Sequence, residues 1–111
     1  MKVMLPLIDE NLSEHFGRAQ RFVIYEIENG VVKDKKFYES VEHQEGSFPA
    51  WAKSQNVNLV ILCGVGPKAI EFFNSYGIDV ISGVASQEHS KIMQDYLNGT
   101  LIYSNKSVCE H

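Results

Sequence analysis

The apolar positions of this chain fall into short runs separated by polar turns, and the spacing inside each run predicts its element. Residues 2 to 8 form an apolar run broken by Pro6, which suits an opening strand whose far end lies at an edge or bulge. Asp9 to Ser13 reads as a loop. From Arg21 to Asn29 the alternation places Val23, Tyr25 and Ile27 on one face of a strand. Asn29-Gly30 is the pair a two-residue hairpin needs, because both residues accept positive φ, so a strand over about Val31 to Tyr38 folds straight back. Its middle, Lys33-Asp34-Lys35-Lys36, is too charged for a central position and predicts an edge strand guarded against pairing with other chains.

After Gly46 the period changes. Ser47 can cap a helix with Pro49 in its first turn, and Phe48, Trp51, Ala52 and Gln55 approximate one face before Asn56 stops it. Leu59-Val60-Ile61-Leu62-Cys63 is apolar throughout, as a strand buried on both faces is, and predicts the centre of the sheet. Pro67 opens a second helix in which Ile70, Phe73 and Tyr76 share a face, ended by Gly77, and a short strand follows over Ile78 to Ser82. Ser86 is the expected cap of a last helix, whose His89, Ile92, Met93, Tyr96 and Leu97 form an apolar stripe that ends at Asn98-Gly99. Thr100 to Ser104 is expected to add a final extended segment. The order of strand, hairpin, helix, strand, helix, strand, helix predicts one α/β domain over residues 1–111: a mixed five-stranded sheet flanked by helices, since the hairpin rules out a purely parallel one.

Composition narrows the function classes. At 111 residues and 44% apolar content the chain can bury one core. No apolar run approaches the roughly 18 residues a membrane helix needs, and no cleavable leader is recognisable, so a cytoplasmic location is expected. Cys63 and Cys109 make no disulfide framework, and reduced thiols are expected. The net charge of -4, with basic residues scattered apart from Lys33, Lys35 and Lys36, gives no footprint for nucleic acid.

The most informative segment is Ser13-Glu14-His15-Phe16-Gly17-Arg18-Ala19, followed by Phe22. It resembles the Ser-x-x-Phe-Gly-x-Ala-x-x-Phe signature of the dinitrogenase iron-molybdenum cofactor biosynthesis family of the NifX type, with Ser13, Phe16, Gly17, Ala19 and Phe22 in register. The resemblance continues through Gly46, Gly64-Val65-Gly66, Ala69 and Gly77-Ile78, and so spans almost the whole chain. It implies a ribonuclease H-like motif, and a role in binding or delivering an iron-sulfur or iron-molybdenum type cluster alongside cofactor-assembly or recipient proteins.

Such clusters are held by soft thiolates or imidazoles, and a carrier that must release its cargo needs few of them. The candidate metal ligands are His15 and His43 in loops, Cys63 at the end of the central strand, and Cys109 and His111 near the C-terminus. Around His15, Phe16 and Gly17 would form the turn that lets the backbone approach a bulky ligand, and Arg18 would answer its negative charge. Bland readings stand beside each. Phe16 can be a core anchor, His43 a solvated loop histidine, and Cys63 a small hydrophobe in the packing. Cys109-Glu110-His111 has a chelating spacing, and a terminal Glu-His is also how an expression tag begins; both readings stay open. His89 lies on the apolar stripe and reads as core-lining.

Gly64-Val65-Gly66-Pro67-Lys68-Ala69 formally fits the Gly-x-Gly-x-x-Ala fingerprint between a strand and a helix, so Gly64 and Gly66 are candidate ligand contacts. Neither a ribose-binding acid at the end of the next strand nor a second nucleotide-binding half follows, which reduces the motif to a turn able to hold an anion. No carboxylate cluster for a two-metal nuclease, no Ser-His-Asp set and no clustered cysteines can be assembled, so a non-catalytic role is expected. The alternatives to cluster carriage are a protein-interaction or regulatory module, and an anion or nucleotide binder over Gly64 to Ala69.

Overall fold

The computed structural model describes residues 1–39 and 47–107. Its sheet is built on β1 (Lys2–Ile8), which pairs antiparallel with β3 (Arg21–Glu28) on one side and parallel with β5 (Leu59–Ile61) on the other. β4 (Val31–Glu39) lies outside β3, while β6 (Asp79–Ser82) and β7 (Asn105–Ser107) continue beyond β5, giving the order β4-β3-β1-β5-β6-β7. A two-residue strand, β2 (Asn11–Leu12), turns back onto the end of β1. The helices are α1 (Ser47–Ser54), α2 (Pro67–Ser75) and α3 (His89–Asn98).

The sheet divides the interior into two cores. On one side Phe16, Phe22, Ile24, Val60 and Val80 pack with Phe48 and Ala52 of α1 and Phe73 of α2. On the other, Val3, Leu5, Val23, Tyr25, Ile27, Ile61 and Ile81 pack with Ile92 and Met93 of α3. Alternation along β1 and β3 sends successive side chains to opposite cores, which is why both strands are apolar nearly throughout.

The hairpin forms as its turn pair demands, with Asn29 at φ 54° and Gly30 at φ 76°. β4 is the outermost strand, and its charged middle is exposed. The pairing shifts between Glu26 and Ile27, so Lys33 is the extra residue of a bulge, a further device against edge-to-edge association. Pro6 falls where β1 has parted from β5, whose pairing ends at Met4 opposite Val60; its carbonyl accepts instead the Ser13 N–H at 2.9 Å. α2 opens on Pro67 and is followed by Gly77 at φ 79°, and α3 closes on Gly99 at φ 73°.

Three expectations need correction. The sheet has seven strands and not five, because β2 forms inside the stretch read as a loop and β7 adds an edge. The last strand lies at Asn105–Ser107 and not at Thr100 to Ser104. Ser86 does not cap α3: Glu88 occupies that position without a side-chain cap, and the Ser86 hydroxyl donates to the Leu12 carbonyl at 2.6 Å.

Candidate functional site

β1, β5 and β6 run parallel, so their carboxyl ends lie together at one end of the sheet, the place where open α/β sheets build ligand sites. The segment from Asp9 to Ala19 crosses that end as a strap. Leu12, buried, enters the core beneath α3, and Phe16, also buried, enters the core beneath α1 and α2. The Phe16 ring meets Phe48 and Phe73 edge-on, with centroids 5.4 and 5.3 Å away. One apolar pin on each face therefore holds the strap down.

Between the pins the fastening is polar. Ser13 is only 1% exposed; its hydroxyl donates to the His15 carbonyl at 2.7 Å and closes a local turn. Gly64, just past β5, then makes a parallel bridge with His15: its N–H donates to the Glu14 carbonyl at 2.8 Å, and its carbonyl accepts the Phe16 N–H at 3.1 Å. A Cβ on Gly64 would stand 2.5 Å from the Glu14 oxygen, so only glycine allows this approach. The first glycine of the Gly-x-Gly-x-x-Ala stretch is thus occupied by the chain's own backbone, whereas a Cβ at Gly66 would meet nothing within 4 Å.

His15 stands exposed on the crest of the strap and is shared by two clefts. The first, of about 370 Å³, is lined by His15, Phe16, Gly17, Gly64, Val65 and Gly66. The second, of about 330 Å³, lies on the other side of the strap and includes Asp9, Asn11, Ser13, Glu14 and Arg18. Gly66, on the rim of the first cleft, is also the residue before α2 and offers it no side-chain cap.

The expected site residues separate accordingly. His15, Gly17, Arg18, Gly64 and Gly66 come together around the two clefts, and the Phe16 ring serves as an anchor beneath them. Cys63 neighbours Gly64 in sequence, but it is half-buried and packs against the core on the α3 side. His43, Cys109 and His111 lie outside the described residues. Among the described residues no three His, Cys, Asp or Glu side chains gather in a way that could hold a metal ion. No helix among them is long and apolar enough to cross a membrane.

Sequence reasoning placed His89 in the core but missed its partners. Its ring, 3% exposed, pairs through Nδ1 with the Tyr25 hydroxyl, and its Nε2 stands 3.1 Å from Glu10 Oε2. An ionised carboxylate only accepts, so Nε2 is the donor in its contact with Glu10. Glu10 is also paired with Arg21, whose guanidinium lies 4.7 Å from the centre of the Phe37 ring.

Burial, reinforced by the carboxylates of Glu88 and Glu10, pushes the Tyr25 hydroxyl from its ordinary 10.0 up to about 12. Because the folded value lies above the unfolded one, the neutral phenol's contribution to stability is intact below pH 10 and is lost as pH rises towards about 12. Urea unfolding midpoints should therefore fall more steeply over that window in the wild type than in Tyr25→Phe. Parallel curves for the two proteins would contradict the burial of this hydroxyl.

Comparison with known proteins agrees with the architecture. A profile of the family described as dinitrogenase iron-molybdenum cofactor matches residues 1–99. An uncharacterized protein of Methanocaldococcus jannaschii is 41% identical over 85 residues, covering 72% of each chain. The crystal structure of PH0822 superposes with a TM-score of 0.88 at 34% identity, over 94% of this chain and 95% of that one. The apo form of the orange protein from Desulfovibrio gigas shares the fold, with a TM-score of 0.75 at 18% identity over 96% and 94% of the two chains. With nearly its whole length matched by one family, and with its fold shared by the solved structure of PH0822 at 34% identity, the chain belongs to the dinitrogenase iron-molybdenum cofactor family.

Proposed function

We propose that this protein is a non-catalytic carrier that binds an iron-sulfur or iron-molybdenum type cluster at the crest of the strap and hands it to a cofactor-assembly or recipient protein, on a scaffold of the ribonuclease H-like type. The observation that carries the reading is the junction of His15 with Gly64. It stands one exposed imidazole over a cleft of about 370 Å³ at the carboxyl ends of the parallel strands. Imidazole is a competent ligand for such clusters. Arg18 and the uncapped N-terminus of α2 add positive character on either side, which suits an anionic cargo.

The donor set fits loose tenure and not a closed site. A structural metal centre is enclosed by four ligands, whereas the described residues offer one exposed imidazole and a half-buried thiol at Cys63. Further ligands would come from His43, Cys109 and His111, or from the protein that receives the cargo. Few ligands mean easy surrender, which delivery requires.

The test is anaerobic reconstitution of the apoprotein with iron and sulfide, followed by absorbance and iron content. His15→Ala should weaken loading by on the order of tenfold or more, while leaving the unfolding free energy within about 0.5 kcal/mol of the wild type because the side chain is exposed. Full cluster content in that variant would remove His15 from the site. Apoprotein that never takes up colour or stoichiometric iron would overturn the carrier reading itself.

A further inference from the structure

We propose that the Tyr25–His89–Glu10 chain, centred on a buried imidazole, is a latch, in which His89 acts as a positioning residue that holds the Leu12 end of the strap closed and so sets the position of His15. Its functional meaning rests on the carrier reading above; its mechanics do not.

The contacts run without interruption from α3 to the crest. His89 is the first residue of α3, and its backbone N–H donates to the Glu10 carbonyl at 3.1 Å while its ring holds the Glu10 carboxylate. Asn11 bridges to Glu88, the Leu12 N–H donates to the Gln87 carbonyl at 2.9 Å, and the Ser86 hydroxyl binds the Leu12 carbonyl. Ser13 then fixes His15, and His15 meets Gly64. The segment leading into α3 and the turn after β5 therefore grip the strap from two sides.

The chemistry of the latch differs from that of the rest of the fastening. The His89 ring is almost fully buried, whereas the Glu10 side chain is 59% exposed and shared with Arg21. The buried donor fixes one carboxylate oxygen, Oε2, while Arg21 meets the other from the solvent side. The charged groups around the ring are Glu10 from the β1–β2 turn, Arg21 from β3 and Glu88 from the residue before α3, with the Tyr25 hydroxyl and the Phe37 ring completing the shell. Losing the bond from Nε2 to Glu10 would leave the strap held at that end by backbone contacts, the buried Leu12, the Ser86 hydroxyl and the more exposed Arg21–Glu10 pair.

Two substitutions separate the halves of the chain. His89→Gln keeps an amide near the Nε2 position and can still reach Glu10, whereas His89→Asn keeps a polar atom near Nδ1 for Tyr25 and releases Glu10. Native-state hydrogen exchange is followed at the Leu12, Ser13, Phe16 and Gly64 amides, whose bonds close the strap, and at Val60 and Ile81 as sheet references. In His89→Asn the strap amides should exchange about tenfold faster relative to the references, and in His89→Gln they should stay near wild-type rates. Iron and sulfide loaded anaerobically should leave the Asn variant for an external chelator faster by a similar factor. Should His89→Asn fail to fold, Glu10→Gln weakens the same bond from its exposed side and should accelerate the same four amides.

Equal exchange in the Asn and Gln variants, or strap amides that only keep pace with the sheet, would overturn the latch. The exchange measurement needs no cargo. A protein that never binds iron and sulfide would thus sink the carrier reading while leaving the latch to stand or fall separately.

Discussion

Gly64→Ala is expected to cost about 3 kcal/mol of stability and to abolish cluster loading, the largest effect of any single-carbon change at this site. The added Cβ would sit 2.5 Å from the Glu14 carbonyl oxygen, and that oxygen belongs to backbone held from both sides. Either the strap lifts, losing the bonds between Gly64 and Glu14 and between Phe16 and Gly64, or the end of β5 moves within a packed sheet. Overpacking costs about 1–3 kcal/mol, and each sacrificed backbone hydrogen bond adds roughly 1 kcal/mol. Against the total of about 5–15 kcal/mol typical of a small domain, this is a large fraction. Gly66→Ala is the control, because its Cβ would meet nothing within 4 Å. Urea unfolding should separate the two alanine variants clearly, and equal midpoints would mean that the strap does not approach Gly64 as described.

Phe16→Ala should cost about 3–5 kcal/mol, since it removes a buried ring from between Phe48 and Phe73 and leaves a cavity that the sheet cannot collapse to fill. Phe16→Leu, which keeps more of the volume, should show roughly half that loss. The value of this variant lies in its contrast with His15→Ala. Removing the pin should lower both thermal stability and iron-sulfide loading, whereas removing the neighbouring imidazole should lower loading alone. If Phe16→Ala unfolds at the wild-type urea concentration, the ring is not the anchor and the strap is held by its polar bonds.

Much of this was legible in the chain itself, for reasons that can be named. The hairpin at Asn29-Gly30, α2 between Pro67 and Gly77, and the interior position of β5 in the sheet follow from local chemistry that tertiary structure had no reason to override. The two added strands have two and three residues, too short for any periodicity to register, and exist only because β1 and β6 offer them an edge. Ser86 carried a plausible capping signal, but its hydroxyl found the Leu12 carbonyl, 74 residues away in sequence.

The site shows the same division. Ser13, His15, Phe16 and Gly17 stood out as a motif, yet nothing local says that Phe16 and Leu12 enter opposite cores. Gly64 drew notice as a glycine that admits a ligand, whereas what it admits is the carbonyl of Glu14. His89 was visible only as one apolar-stripe position, because Tyr25 and Glu10 lie 64 and 79 residues away from it. Long-range polar partners leave no spacing for a reader to find.

The pinning of the strap by inward-facing side chains also bears on how such a protein can diversify. Leu12, Ser13, Phe16 and Ala19 are committed to the interior, while Glu14, His15, Gly17 and Arg18 face outward. Replacements at the outward positions alter donor chemistry and charge without touching the elements that make the domain fold. On the carrier reading proposed above, substitutions at these outward positions would change which inorganic guest is held, with the architecture beneath them left intact.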